Sequence, residues 1–277
     1  MRLFHFRLSL KEQRISLFRR MKADSTDFTR EEWLRERFSN HFEFTHRQTT
    51  FFFVPETNVT GIPEELIVGW IARKREINER TPPWEGLGVT EHHSWQAALI
   101  VIDPSHHEDG QKIAMESRSE VGAAEAILAS LANSLGADID EPFSVAVYPI
   151  IEERSFARFA EEHKNTIRQI TYEAAVPNMF GGADDFSNEM RLLRETANVS
   201  KVKTRLESDE VIDIDNSKLK EIAKYVEKGG GKISARTTDG ARYNSAEHAA
   251  YTDVPNTDEP TQASFWENIK RAVERIF

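Results

Sequence analysis

Cysteine is absent from the 277 residues. Its absence excludes disulfides, thiolate metal centres, iron–sulfur clusters and a cysteine nucleophile. No apolar run reaches the length of about 18 residues that a membrane helix needs, so no membrane partner is expected. The opening residues, Met1-Arg-Leu-Phe-His-Phe-Arg, alternate charge and apolarity and lack the continuous apolar stretch of a signal peptide. These absences predict a cytoplasmic protein. Also missing are a P-loop and a G-x-G-x-x-G turn, which would cradle phosphates. There is no Gly-x-Ser-x-Gly elbow to present a nucleophilic serine.

Candidate metal ligands are sparse. His92-His93 and His106-His107-Glu108-Asp109 flank an apolar run, Trp95–Ile102, that reads as a strand. Each strand residue advances roughly 3.3 Å, and adjacent residues point to opposite faces, so the histidine groups do not converge. The expectation is no tightly bound metal and no cofactor. The acids Glu210, Asp213 and Asp215 form a second cluster. Asp213 and Asp215 share a face if extended, which keeps a metal-dependent nuclease open as an alternative.

What the chain does contain is an ordinary soluble balance of 39% hydrophobic and 30% charged residues, with 17 Phe to build a core. The length suits two modest domains, or one large one. Alternation predicts strands at 2–8, His41–Thr45, Thr49–Val54, Leu66–Ile77, Trp95–Ile102 and Lys112–Met115. Thr29 and Glu32 form a capping-box signature before Trp33-Leu34. The Ala-rich stretch Ser119–Leu135 reads as a helix closed by Gly136 at C′. Further on come strands at Phe143–Ile151, Ile167–Val176 and Val199–Leu206. Helices are expected at Ser155–His163, Asp184–Thr196, Asn216–Lys228 and Thr261–Phe277, and a turn at Pro177–Gly182. Gly229-Gly-Gly reads as a helix stop. Asp239-Gly240 folds a hairpin over Lys232–Ser245, with a type I′ turn expected. The fold class that follows is α+β, with two mixed domains, 1–138 and 139–277, and mostly antiparallel sheets.

Net charge is −10, yet the cations are segregated. One basic cluster falls in residues 1–22. The other falls in residues 216–242 with Lys218 and Lys220, and its members Lys224, Lys228, Lys232, Arg236 and Arg242 are the candidate nucleic-acid-binding residues. The acids at Glu207–Asp215 are expected to face away from them. The aromatic C-terminal helix around Phe265 and Trp266 offers an alternative, a protein–protein contact.

The order of elements resembles the Rex exclusion protein family of phage lambda and related prophage and defence loci. The likeness runs through Gln96–Ile102, Lys112–Met115, Ser119–Leu135 and Val145-Ala-Val-Tyr148-Pro149-Ile-Ile. It continues through Ile170-Thr-Tyr-Glu-Ala-Ala-Val-Pro177, the helix Asn216–Lys228 and the hairpin Lys232–Tyr243. The resemblance covers about two-thirds of the chain. It implies a non-catalytic antiviral defence protein that acts in phage exclusion and binds DNA as a homodimer. The remaining alternative is a sensor subunit that contacts another protein of a defence system.

Overall fold

The computed structural model describes residues 1–13, 29–107, 110–137, 141–175, 185–197, 199, 201–255 and 262–277. The expected turn at Pro177–Gly182 and the cations Arg14–Lys22 lie outside the described residues.

The first strand, β1 (Arg2–Glu12), is a central strand because both of its faces are apolar. Phe4, Phe6, Leu8 and Leu10 alternate on one side and Leu3 stands on the other. Along one edge β1 pairs antiparallel with β6 (Gln111–Glu116). Along the other it meets β7 (Phe143–Pro149) and β12 (Tyr251–Asp253). The sheet continues through β5 (Val89–Asp103), β4 (Ile67–Arg80), β3 (Thr49–Pro55) and β2 (Phe42–His46), all antiparallel.

Each face of this sheet is covered by helices. On one side α1 (Arg30–Arg37) and α2 (Ala124–Leu135) bury Trp33, Leu34, Ile127 and Leu128 against Phe6, Phe51, Phe53, Ile100 and Ile102. On the other, α6 (Gln262–Ile276) buries Trp266, Ile269 and Val273 against Leu3, Leu99 and Val101. The aromatic stripe of α6 is therefore core, and Phe265 stacks on Trp70 at its edge.

A smaller antiparallel sheet has the order β11-β10-β8-β9. Its strands are β8 (Ile167–Ala175), β9 (Lys201–Glu207), β10 (Gly231–Thr237) and β11 (Arg242–Asn244). Helices α3 (Ser155–Glu162), α4 (Asp185–Ala197) and α5 (Ser217–Tyr225) cover one face of it. There Phe156, Phe186, Leu219 and Ile222 pack on Ile170, Ala174, Ile233 and Ala235. The α+β class with mostly antiparallel sheets holds. The two sheets do not divide the chain at 138/139: β7, β12 and α6 all return to the first sheet.

Three local expectations differ. The Asp239-Gly240 hairpin forms, but Gly240 alone has positive φ (90°), where a type I′ turn needs it at both central residues. Thr237 N–H bonds to Ala241 O, which closes a three-residue loop with glycine in the left-handed position. Gly136 ends α2 at φ −101°, not left-handed. Glycine fits there because a Cβ would sit 3.0 Å from Val145 N. His92 and His93 lie inside β5 rather than in a loop beside it, since β5 begins at Val89.

Candidate nucleic-acid interface

In the smaller sheet the residues that do not face the helices form an open polar surface. Register fixes its rows. The first row reads Arg242, Arg236, Gln169, Glu207 across the four strands. The second reads Asn244, Ser234, Thr171, Arg205, and the third Lys232, Glu173, Lys203. Lys201 follows Lys203 two residues back on the same side. Six cations thus share one face with two carboxylates.

Ion pairs account for part of this charge. Lys201 Nζ lies 2.9 Å from Glu173 Oε1. Arg205 pairs with Glu207, and its guanidinium also donates to Gln169 Oε1 at 3.3 Å. Lys232 reaches out of the sheet to Glu125 on α2. Among the described residues, Lys203, Arg236 and Arg242 have no carboxylate partner. Arg236 and Arg242 stand directly opposite one another. Like charges at that spacing repel, at a cost of a few tenths of a kcal/mol. An anion between them removes the repulsion and gains two charge-assisted hydrogen-bond donors.

Among the described residues no aromatic ring stands on this surface. Tyr172 and Tyr243 point to the helix side, where Tyr243 packs on Phe156 at 5.3 Å. Burial pushes the Tyr243 phenol up to about 12, and its hydroxyl shares a 2.8 Å hydrogen bond with Ser155.

Of the five cations singled out from the sequence, Lys232, Arg236 and Arg242 share this face. Lys224 does not: it lies on α5, in the helical layer behind the sheet. There it borders a cavity of about 540 Å³ whose floor includes Phe156, Leu219 and Ala223. Lys228 sits in the π-turn Val226–Gly230. Its carbonyl accepts a 2.8 Å bond from Arg7 Nη1 of the larger sheet. The expectation that Glu207 faces away is corrected: it shares the face, tied to Arg205. The sequence reading passed over Lys201, Lys203 and Arg205. Their signal was the period-2 pattern Lys-Val-Lys-Thr-Arg-Leu, which places every cation of an edge strand on one side.

The acidic cluster does not converge. Asp215 is clamped between Lys164 (2.7 Å) and Lys220 (3.2 Å), and hydrogen bonds to both hold its carboxyl below the usual range. Asp213 instead accepts from the backbone N–H of Asp215 at 3.0 Å. Asn216 caps α5 by accepting from Lys218 N at 2.9 Å. Among the described residues no three His, Asp or Glu side chains gather as a metal site. No helix there is long and apolar enough to cross a membrane. No protein-family model, curated protein or solved structure matches the chain.

Proposed function

We propose that this protein binds the phosphate backbone of duplex DNA on the open face of its smaller sheet, without regard to sequence and without catalysis. The observation that carries the reading is the opposed pair Arg236 and Arg242, which has no carboxylate partner among the described residues. Lys203 on the far strand extends the anion path across the sheet. Among the described residues no aromatic ring on this face offers bases a stacking surface, so contacts fall on phosphates. Antiviral defence or phage exclusion, a homodimer and a cytoplasmic setting complete the proposal, on the strength of the family resemblance.

The test is a gel shift with duplex DNA across a salt series, with and without magnesium. Each phosphate contact contributes roughly 0.9 to the log–log salt slope. Replacing Lys203, Arg236 and Arg242 with Glu is expected to weaken binding to all sequences alike and to flatten that slope by roughly 3. Equal binding by the variant, or no binding by the wild type at low salt, rejects the proposal. Magnesium-dependent cleavage replaces it with the nuclease alternative.

A further inference from the structure

The hairpin of β4 and β5 outgrows the sheet that carries it. β3 pairs with β4 only as far as Arg73, and β6 pairs with β5 only from Ile100. Seven cross-strand pairs, Lys74↔Trp95 to Arg80↔Val89, therefore stand beyond the sheet as a two-stranded arm. Its tip is Pro82-Pro83-Trp84-Glu85-Gly86-Leu87. An isolated two-stranded ribbon is marginal in water. Among the described residues, four of the eight exposed large hydrophobic ones gather here: Trp84 (83% exposed), Leu87, Val89 and Trp95 (60% exposed). Such an arm is a surface with something to gain from another strand.

The hydrogen-bond parity of its open edge is fixed. At the base, Leu99 N–H donates to Glu116 Oε2 at 3.1 Å and Ala97 O accepts from Arg118 Nη1 at 3.1 Å. Those groups point away from β4, so Val89, Glu91, His93 and Trp95 also turn their N–H and C=O outward. Glu116 and Arg118 plug the edge at its base. Among the described residues the window left open is Val89–Trp95, Val-Thr-Glu-His-His-Ser-Trp.

That window is complementary to itself. Laid antiparallel across a twofold axis at His92, it sets Val89 opposite Trp95, Thr90 opposite Ser94 and Glu91 opposite His93. These are a β-branched–aromatic pair, a hydroxyl–hydroxyl pair and a carboxylate–imidazole pair, each of a favourable cross-strand type. Parity agrees, because 89, 91, 93 and 95 are the residues whose backbone groups face out. The opposite edge of the arm fails the same comparison: centred on Ile77, it sets Lys74 against Arg80, like charge on like.

We infer that the arms of two copies pair edge to edge through Val89–Trp95, in the register that sets His92 opposite His92, to give a four-stranded ribbon across a twofold axis. The inference supplies an interface for the homodimer proposed above. It is tested without nucleic acid, so its failure is distinct from failure of the DNA-binding reading.

The cysteine-free background makes the register directly measurable. His92→Cys places two thiols at a non-hydrogen-bonded antiparallel pair, where Cα atoms approach to about 4.5 Å, within disulfide reach. Oxidation of the full-length His92→Cys chain is expected to give a cross-linked dimer. Thr90→Cys or Ser94→Cys alone is expected to give none, and an equal mixture of the two is expected to cross-link. By sedimentation equilibrium the wild type is expected at twice the chain mass. His93→Asp opposes two carboxylates at each Glu91 contact and is expected to shift the protein to monomer, and Glu91→Lys added to it is expected to restore the dimer. Both positions are exposed and outside the core, and circular dichroism confirms that each variant is folded. A monomeric wild type, equal cross-linking at 90, 92 and 94, or a dimer indifferent to His93→Asp overturns the inference.

Discussion

Burial, with Lys112 nearby, holds the imidazole of His5 far below its free value, at about 4. Its Nε2 shares a 2.9 Å hydrogen bond with Thr252 Oγ1, which joins β1 to β12. The folded pKa lies below the unfolded value of 6.5, so the unfolded chain takes up the proton first. The contribution of neutral His5 is full above pH 6.5 and is lost as pH falls toward 4, about 2 kcal/mol after allowance for partial exposure. Glu116 works against it, since burial raises its carboxyl and relieves the folded state on acidification. The comparison that isolates His5 is thermal melting of wild type and His5→Gln at several pH values. The variant is expected to lose less stability than the wild type between pH 6.5 and 4. A parallel loss in both proteins rejects the assignment. Arg7 is the other residue on which this region turns. Gly229, at φ 77°, lies so close that a Cβ there would stand 2.7 Å from Arg7 Cβ, so the two sheets meet through a backbone only glycine allows.

The elements that short-range chemistry dictates were legible. Thr29 accepts from Glu32 N at 3.2 Å while Glu32 Oε2 accepts from Thr29 N at 2.8 Å, which is the reciprocal cap expected from those two residues. Thr29→Ala is expected to cost about 1 kcal/mol in chemical denaturation, with an unchanged m-value. The apolar stripe of α6 and the alternation of β9 were likewise readable, because 3.6- and 2-residue periods are local properties. What was not readable depends on distant partners. Residues 78–80 and 89–94 carry few hydrophobic residues, and only cross-strand pairing makes them strand, so both strands seemed shorter and the histidines of β5 seemed to flank it. The candidate interface suffered the same limit. The sequence grouped Lys224 with Arg236 by proximity, yet the sheet separates a helix-borne Lys from a strand-borne Arg. Lys203, thirty-three residues before Arg236, joins it on the same face through β8.

Across the whole molecule, the last helix holds the first sheet closed. Trp266 is 2% exposed and rests with Ile269 and Val273 on Leu3, Leu99 and Val101. Its indole N–H has no hydrogen-bond partner among the described residues. Trp266→Ala is expected to cost about 3–5 kcal/mol by leaving a cavity under the sheet. Trp266→Phe is expected to cost much less, because no hydrogen bond is lost. Equal losses for the two, measured by denaturant titration, reject that account. The central position of β1 carries a consequence for how the chain comes off the ribosome. Met1 N meets Val254 O at 3.1 Å across a sequence separation of 253 residues. At roughly 5–20 residues per second, β1 waits about 10–50 s for β12. Throughout that wait the growing polypeptide leaves one edge of β1 partly unpaired, and the whole of the smaller sheet is synthesised in the interval. During translation the second sheet to appear is the first that can be finished.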